Sequence, residues 1–266
     1  MLGKVLKYDL KRLGQSLMPL YIITLILSII VLGGSYLTDI NQLFTIAYGT
    51  VFFFFILLLM AVGIGTFFIS IQKFYQNLLK DEGYLTNTLP VTKNTLILSK
   101  ILSSCIFMAI SLVVIALSLC IAFAKFEIWT IVPKIFELGL FSKMMGMKEP
   151  LATIVMVFMI IISYVVQLLF FYFAIALGQR HNTNRLLYSF VYGLVLYSIQ
   201  QVISLIFLGV FILVNPDVVA MLNNQVSPSV SILGVIYVGS MIISIVIGLI
   251  YYFGTVYIFK KKLNLE

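Results

Sequence analysis

Six long apolar runs, almost free of charge inside, constrain this chain more than any other feature. They cover residues 17–37, 47–71, 101–123, 151–177, 186–214 and 231–259, with no Asp, Glu, Lys, Arg or His in their interiors. About 20 apolar residues of helix cross a bilayer core. Inside hydrocarbon each backbone N–H and C=O must be satisfied within its own segment, so such runs become helices. The expected fold class is an all-α membrane protein with six transmembrane helices. At 62% hydrophobic and 10% charged residues over 266 positions, the spans consume most of the chain and leave no room for a second folded domain.

Orientation follows from Lys and Arg near the span ends. With the N-terminus in the cytoplasm, Lys4, Lys7, Lys11, Arg12, Lys73, Lys80, Lys93, Lys100, Arg180, Arg185, Lys260, Lys261 and Lys262 all fall inside. Only Lys125, Lys134, Lys143 and Lys148 remain outside. The chain is thus expected in the cell membrane, multi-pass, with both termini cytoplasmic. Its net charge of +8 reads as topology and not as a nucleic-acid interface, because the cations are spread over separate edges of a bilayer.

Three connecting segments stand out from the single transmembrane domain. Residues 1–14 form an amphipathic elbow, with Leu2, Val5, Leu6, Leu10 and Leu13 on one face and Lys4, Lys7 and Lys11 on another. Such a helix suits the inner headgroup layer, where anionic lipid attracts lysine. Residues 124–149 are an external amphipathic segment with the chain's one Trp, Trp129. Residues 72–94 are polar and cytoplasmic. There Phe74 with Leu78 and Tyr75 with Leu79 are i,i+4 pairs on a short helix, Gly83 can close it, and Pro90 stops any helix beyond it. Thr92 or Asn94 can cap the third span. Cys105 and Cys120 lie about 22 Å apart along one helix, too far to bridge each other.

Catalytic constellations are missing from the sequence. The lone His181 sits in a turn, no span carries a His–Glu pair, and no ionisable residue lies at membrane depth. An enzyme or an ion-coupled transporter is disfavoured. A phosphate-binding G-x-x-x-x-G-K-[ST] loop is also absent, so any energy for transport must come from another polypeptide. A translocation path still needs polar groups. Gly193, Tyr197, Gln200 and Ser204 fall on one face of the fifth span with Gln201 at its border, and Tyr164 and Gln167 are spaced i,i+3 on the fourth. These six polar side chains either line a path or act as interhelical hydrogen-bond glue.

One stretch carries a family resemblance. Asp81-Glu82-Gly83-Tyr84-Leu85, then Thr88-Leu89-Pro90-Val91, with Lys100 at the head of the next span, resembles the second-to-third-span loop of type-2 ABC exporter permeases, in a form common in Gram-positive bacteria. It departs from that family at Thr86, often acidic there, and in having its longer external segment at 124–149. The resemblance implies an ATPase-coupling element built on Tyr75, Leu79, Asp81, Glu82, Gly83, Tyr84, Leu85 and Pro90. It implies two copies of an ABC ATPase subunit as partners, with ATP and Mg bound there and no cofactor in this chain. It also implies a second permease copy or a homologous permease. Antimicrobial-type peptides or drugs are the implied cargo, exported through a path at Tyr164, Gln167, Tyr197, Gln200, Gln201 and Ser204. The rival expectation is a membrane assembly or sensory partner that transports nothing.

Overall fold

The computed structural model describes residues 2–38, 41–79, 91–126, 142, 148, 150–181, 184–214 and 230–261. Every element among them is helical, and six of the helices are long and apolar enough to cross a bilayer. The chain is an all-α membrane protein, as the apolar runs require. It divides into two compact units, Met1–Ile135 and Phe136–Glu266. The amphipathic segment 124–149, expected to be external, lies largely outside the described residues.

The first unit contains α1 (Leu2–Leu37), α2 (Gln42–Leu79), α3 (Lys93–Ala122) and a single 3-10 turn, Ala124–Phe126. Here the elbow differs from its sequence reading. Residues 2–13 are not a separate surface helix, because α1 runs unbroken through Pro19. Proline forfeits one backbone hydrogen bond, which packed membrane helices tolerate. The reason for the continuity lies in packing. Leu13 and Leu17 are buried in a cluster with Tyr21, Val62, Phe107 and Val114, and Leu10 packs against it, so the apolar face meets protein. Lys4, Lys7 and Lys11 are exposed, as the partition of faces predicts. Similarly, residues 72–79 do not begin a short helix of their own but continue α2. At 38 residues α2 is about 57 Å long, well beyond the roughly 30 Å of a hydrocarbon core.

α1 and α3 run parallel at a fixed offset. Asp9 meets Ser99, Tyr21 meets Ser111, and Ser35 meets Lys125, each pair 90 residues apart in sequence. The buried residues of α1 from Tyr21 to Ser35, and those of α3 from Ser104 to Ser118, recur at alternating intervals of three and four. That spacing of about 3.5 is the periodicity of left-handed helix pairs.

The second unit contains α4 (Leu151–Gly178), α5 (Arg185–Val214) and α6 (Val230–Lys261). Glycines let its helices approach closely. A Cβ on Gly248 would lie 2.9 Å from Val166 Cγ2, and one on Gly254 would lie 2.5 Å from Phe173 Cε2. Tyr251 fits between them, stacked on Phe173 and edge-on to Phe170. The α4–α5 connection is tight. Asn184 has the left-handed backbone angle φ 49° that Asn tolerates better than most residues.

Gly178 is the least replaceable residue of that connection. A Cβ there would stand 2.6 Å from the backbone nitrogen of Ser189 and 2.7 Å from its Cα, atoms that cannot swing away. Gly178→Ala should therefore destabilise the purified protein by about 1–3 kcal/mol, the usual cost of overpacking. Thermal unfolding in detergent, compared with Gly209→Ala, where nothing lies within 4 Å, measures it.

Candidate functional site

The sequence-derived coupling element is described only in part. Tyr75 is half-buried on α2, and Leu79 is its last residue. Asp81, Glu82, Gly83, Tyr84, Leu85 and Pro90 lie outside the described residues. Both flanks are firmly built. Phe74 is fully buried one residue before Tyr75, and Leu96 and Ile97 are buried at the start of α3. Of the two candidate caps, Thr92 is the one used. Its hydroxyl accepts from the Thr95 N–H at 3.4 Å and lies 2.8 Å from the Thr95 hydroxyl.

Just inside these flanks lies a buried ion pair. Asp9 of α1 accepts the ammonium of Lys100 on one carboxylate oxygen and the Ser99 hydroxyl on the other. Asp9 is 6% exposed and Lys100 7%. Ser103 and Ser104 donate to the Lys100 carbonyl at 3.0 and 2.8 Å, so the first turns of α3 are closely hydrogen-bonded around the charge. Taking a charge out of water costs several kcal/mol per ion unless it is paired and hydrogen-bonded, as both are here.

Sequence alone reads Lys100 as an inside-facing cation at the end of the resembling stretch and gives Asp9 no role. A signal is present nonetheless. Val5, Asp9, Leu13 and Leu17 succeed one another at i+4, so the acid stands in the middle of the elbow's apolar stripe and needs a partner. Which cation supplies it, ninety-one residues away, is not legible there.

Deeper in the unit, three hydroxyls join all three helices. Thr66 on α2 donates its single proton to the Val62 carbonyl at 2.6 Å. Its contact with Ser111, also 2.6 Å, must then be donated by Ser111. Ser111 has no second proton, so Tyr21 is the donor in their 2.6 Å contact. The result is a one-way chain, Tyr21 to Ser111 to Thr66 to Val62. At the far end of α1, Lys125 donates to the Ser35 carbonyl at 2.7 Å and lies 5.3 Å from the centre of the Tyr36 ring. A cation near the last carbonyls of a helix is favoured by the helix dipole.

The proposed path residues separate into two sets. On α4, Tyr164 is half-buried and Gln167 exposed. On α5, Gln200 is half-buried, whereas Tyr197, Gln201 and Ser204 are exposed. Exposure therefore varies among the residues of this face. Gly193, 3.9 Å from Ala174 by its implied Cβ, lies toward α4 and Gln200 comes at i+7 from it, while Tyr197, Gln201 and Ser204 form a second line beside them. Packing of α4 against one side of α5 makes that division. His181 stacks on Tyr188 with centroids 3.8 Å apart and lies 3.1 Å by Nε2 from the Tyr192 hydroxyl. Among the described residues no three His, Cys, Asp or Glu side chains gather as a metal site.

No protein-family model, no curated protein and no solved structure matches this chain. The residues and their geometry therefore carry the functional reading alone.

The ion pair and the hydroxyl chain should respond differently to substitution. Lys100→Ala strands a buried carboxylate and should cost about 3–5 kcal/mol, whereas Asp9→Leu with Lys100→Met should recover most of that loss. A double-mutant cycle on thermal stability measures the difference. Along the hydroxyl chain, Ser111→Ala leaves the Tyr21 proton without its acceptor and Thr66 without its donor. Tyr21→Phe removes only a donor to Ser111. Ser111→Ala should be the more damaging, within the roughly 0.6–1.7 kcal/mol of membrane hydrogen bonds. Equal losses for the two variants would refute Ser111 as the link that holds both Tyr21 and Thr66.

Proposed function

We propose that this chain is the membrane-spanning subunit of an ATP-driven ABC exporter in the cell membrane, with both termini cytoplasmic. Two copies, or this chain and a homologous permease, enclose the path, and two separate ATPase subunits bind ATP and Mg. The cargo is an amphipathic or hydrophobic peptide or drug, in keeping with six apolar runs whose interiors carry no charge.

The observation that carries this reading is the anchorage on both sides of the segment resembling a coupling loop. α2 enters it as one continuous helix ending at Leu79, with Phe74 buried just before. α3 leaves it through the Thr92 cap, and Lys100 ties that helix to Asp9 of α1. A displacement applied between residues 80 and 91 therefore reaches three helices through packed side chains, a hydrogen-bonded cap and an ion pair. An element that transmits force from a soluble motor needs such a base. An ordinary solvated loop has no need of a buried charge pair at its root.

In this reading Glu82 pairs with a basic groove on the ATPase while Tyr84 and Leu85 fill an apolar notch beside it. Removing one partner of a desolvated interfacial charge pair costs about 2–5 kcal/mol. Glu82→Ala should weaken docking of the ATPase or uncouple hydrolysis from transport, while the permease remains folded. Asp81→Ala, about 100° away around a helix, should matter less. The test is reconstitution of the chain in proteoliposomes with the ATPase that co-purifies with it, reading hydrolysis and export together. Unchanged coupling in both Glu82→Ala and Leu85→Ala sinks the proposal.

A further inference from the structure

Gln167 of α4 and Gln200 of α5 stand level with each other along the seam between the two helices. The register follows from two close approaches in this antiparallel pair. Gly178 lies against Ser189 and Ala174 against Gly193, so four residues back along α4 correspond to four forward along α5. One turn farther Phe171 and Leu196 come level, both half-buried, and after the next turn the facing residues are Gln167 and Gln200. The helices separate over this distance. An implied Cβ on Gly178 stands 2.6 Å from the Ser189 nitrogen, whereas one on Gly193 stands 3.9 Å from the Ala174 Cβ. Beyond the glutamines α5 touches α6, where a Cβ on Gly239 would come 2.6 Å from Phe207 Cζ. With Gln167 exposed and Gln200 half-buried, the α4–α5 seam is open at their level.

Both carboxamides fall near the middle of their spans. Among the described residues neither is hydrogen-bonded to the other or to a third group. Hydrocarbon leaves such groups unsatisfied at a cost, so at this depth they meet protein, ligand or water. Each carboxamide carries N–H donors and a carbonyl acceptor. A secondary amide between them has an N–H for one and a carbonyl for the other, and its flanks would rest on Phe171 and Leu196. A neighbouring helix could not supply that group, because its peptide amides are bonded internally. A charged ligand finds no counter-ion, since the interiors of both runs lack Asp, Glu, Lys, Arg and His. We propose that the Gln167–Gln200 seam binds the secondary amide of an uncharged, lipid-soluble molecule, such as an end-capped hydrophobic peptide. This site deepens the export reading and rests on it only in calling the ligand a cargo. Its test contains no ATPase and no ATP, so either can fail without the other.

The experiment places the full chain in lipid nanodiscs with N-hexylhexanamide carrying a diazirine on one alkyl arm. Illumination labels the protein, and mass spectrometry maps the labelled residues. Labelling near Gln167 and Gln200 should saturate. Unlabelled N-hexylhexanamide should displace the probe about three- to fifteen-fold more effectively than hexyl hexanoate, the ester of equal length, a ratio set by one hydrogen bond in a bilayer. Gln167→Leu and Gln200→Leu should each reduce that preference for amide over ester, whereas Ser198→Ala should keep it. Each leucine removes a carboxamide without a partner, so without probe both variants should melt no lower than the parent. Labelling that does not saturate, or equal displacement by amide and ester, overturns the site in the parent protein alone. So does a lower melting temperature in both single variants with no further loss in the double, which marks the two glutamines as bonded to each other.

Discussion

The parallel pairing of α1 with α3 is the interaction on which the first unit depends. Helices in lipid gain little from burying apolar surface against one another, since tails are as apolar as leucine. Close packing and hydrogen bonds must therefore decide which helices meet and at what register. Three polar contacts at one constant offset do so here, at Asp9, Tyr21 and Ser35 along α1. Between them small polar residues alternate with larger apolar ones such as Leu13, Leu17 and Phe107. Ser103, Ser111 and Ser118 are buried on α3, and Thr24 and Ser28 on α1. Thr24 and Ser28 turn their protons onto carbonyls of their own helix at 2.7 Å, which keeps the surface between the helices nearly apolar. A slip of one residue would separate all three contacts at once.

The second unit solves the same problem with different residues. α6 has glycines where α4 presents Val166 and Phe173, and the aromatic rings of Phe170, Phe173 and Tyr251 lock together beside them. These contacts between glycines, apolar side chains and rings work through shape, with little directionality. The two units thus differ in what perturbs them. The first is sensitive to loss of a proton donor or acceptor, the second to any added side-chain atom.

This contrast bears on the proposed mechanism. A motor subunit acting near residues 80–91 would work on the unit whose helices are bound by an ion pair and a directed hydroxyl chain. Directional bonds resist sliding and transmit displacement along the helices. The long α5 belongs to the other unit, with Tyr197, Gln201 and Ser204 exposed along it.

Composition and periodicity alone determined that this is a membrane protein of six helices. Hydrocarbon leaves no other backbone solution for runs such as 151–177 and 231–259, and the helices there, Leu151–Gly178 and Val230–Lys261, match the runs closely. The exposed lysines of α1 and the Thr92 cap were legible too, since both are local effects. The continuity of α1 through Pro19 was not. It depends on Leu13 and Leu17 finding Phe107 on another helix, whereas the local pattern fits a surface helix equally well. The partner of Asp9 and the division of Gln200 from Gln201 were likewise decided by the tertiary structure. Pairings across ninety residues, and the side of a helix its neighbour covers, are set by how distant helices pack, and a single sequence records no distance between them.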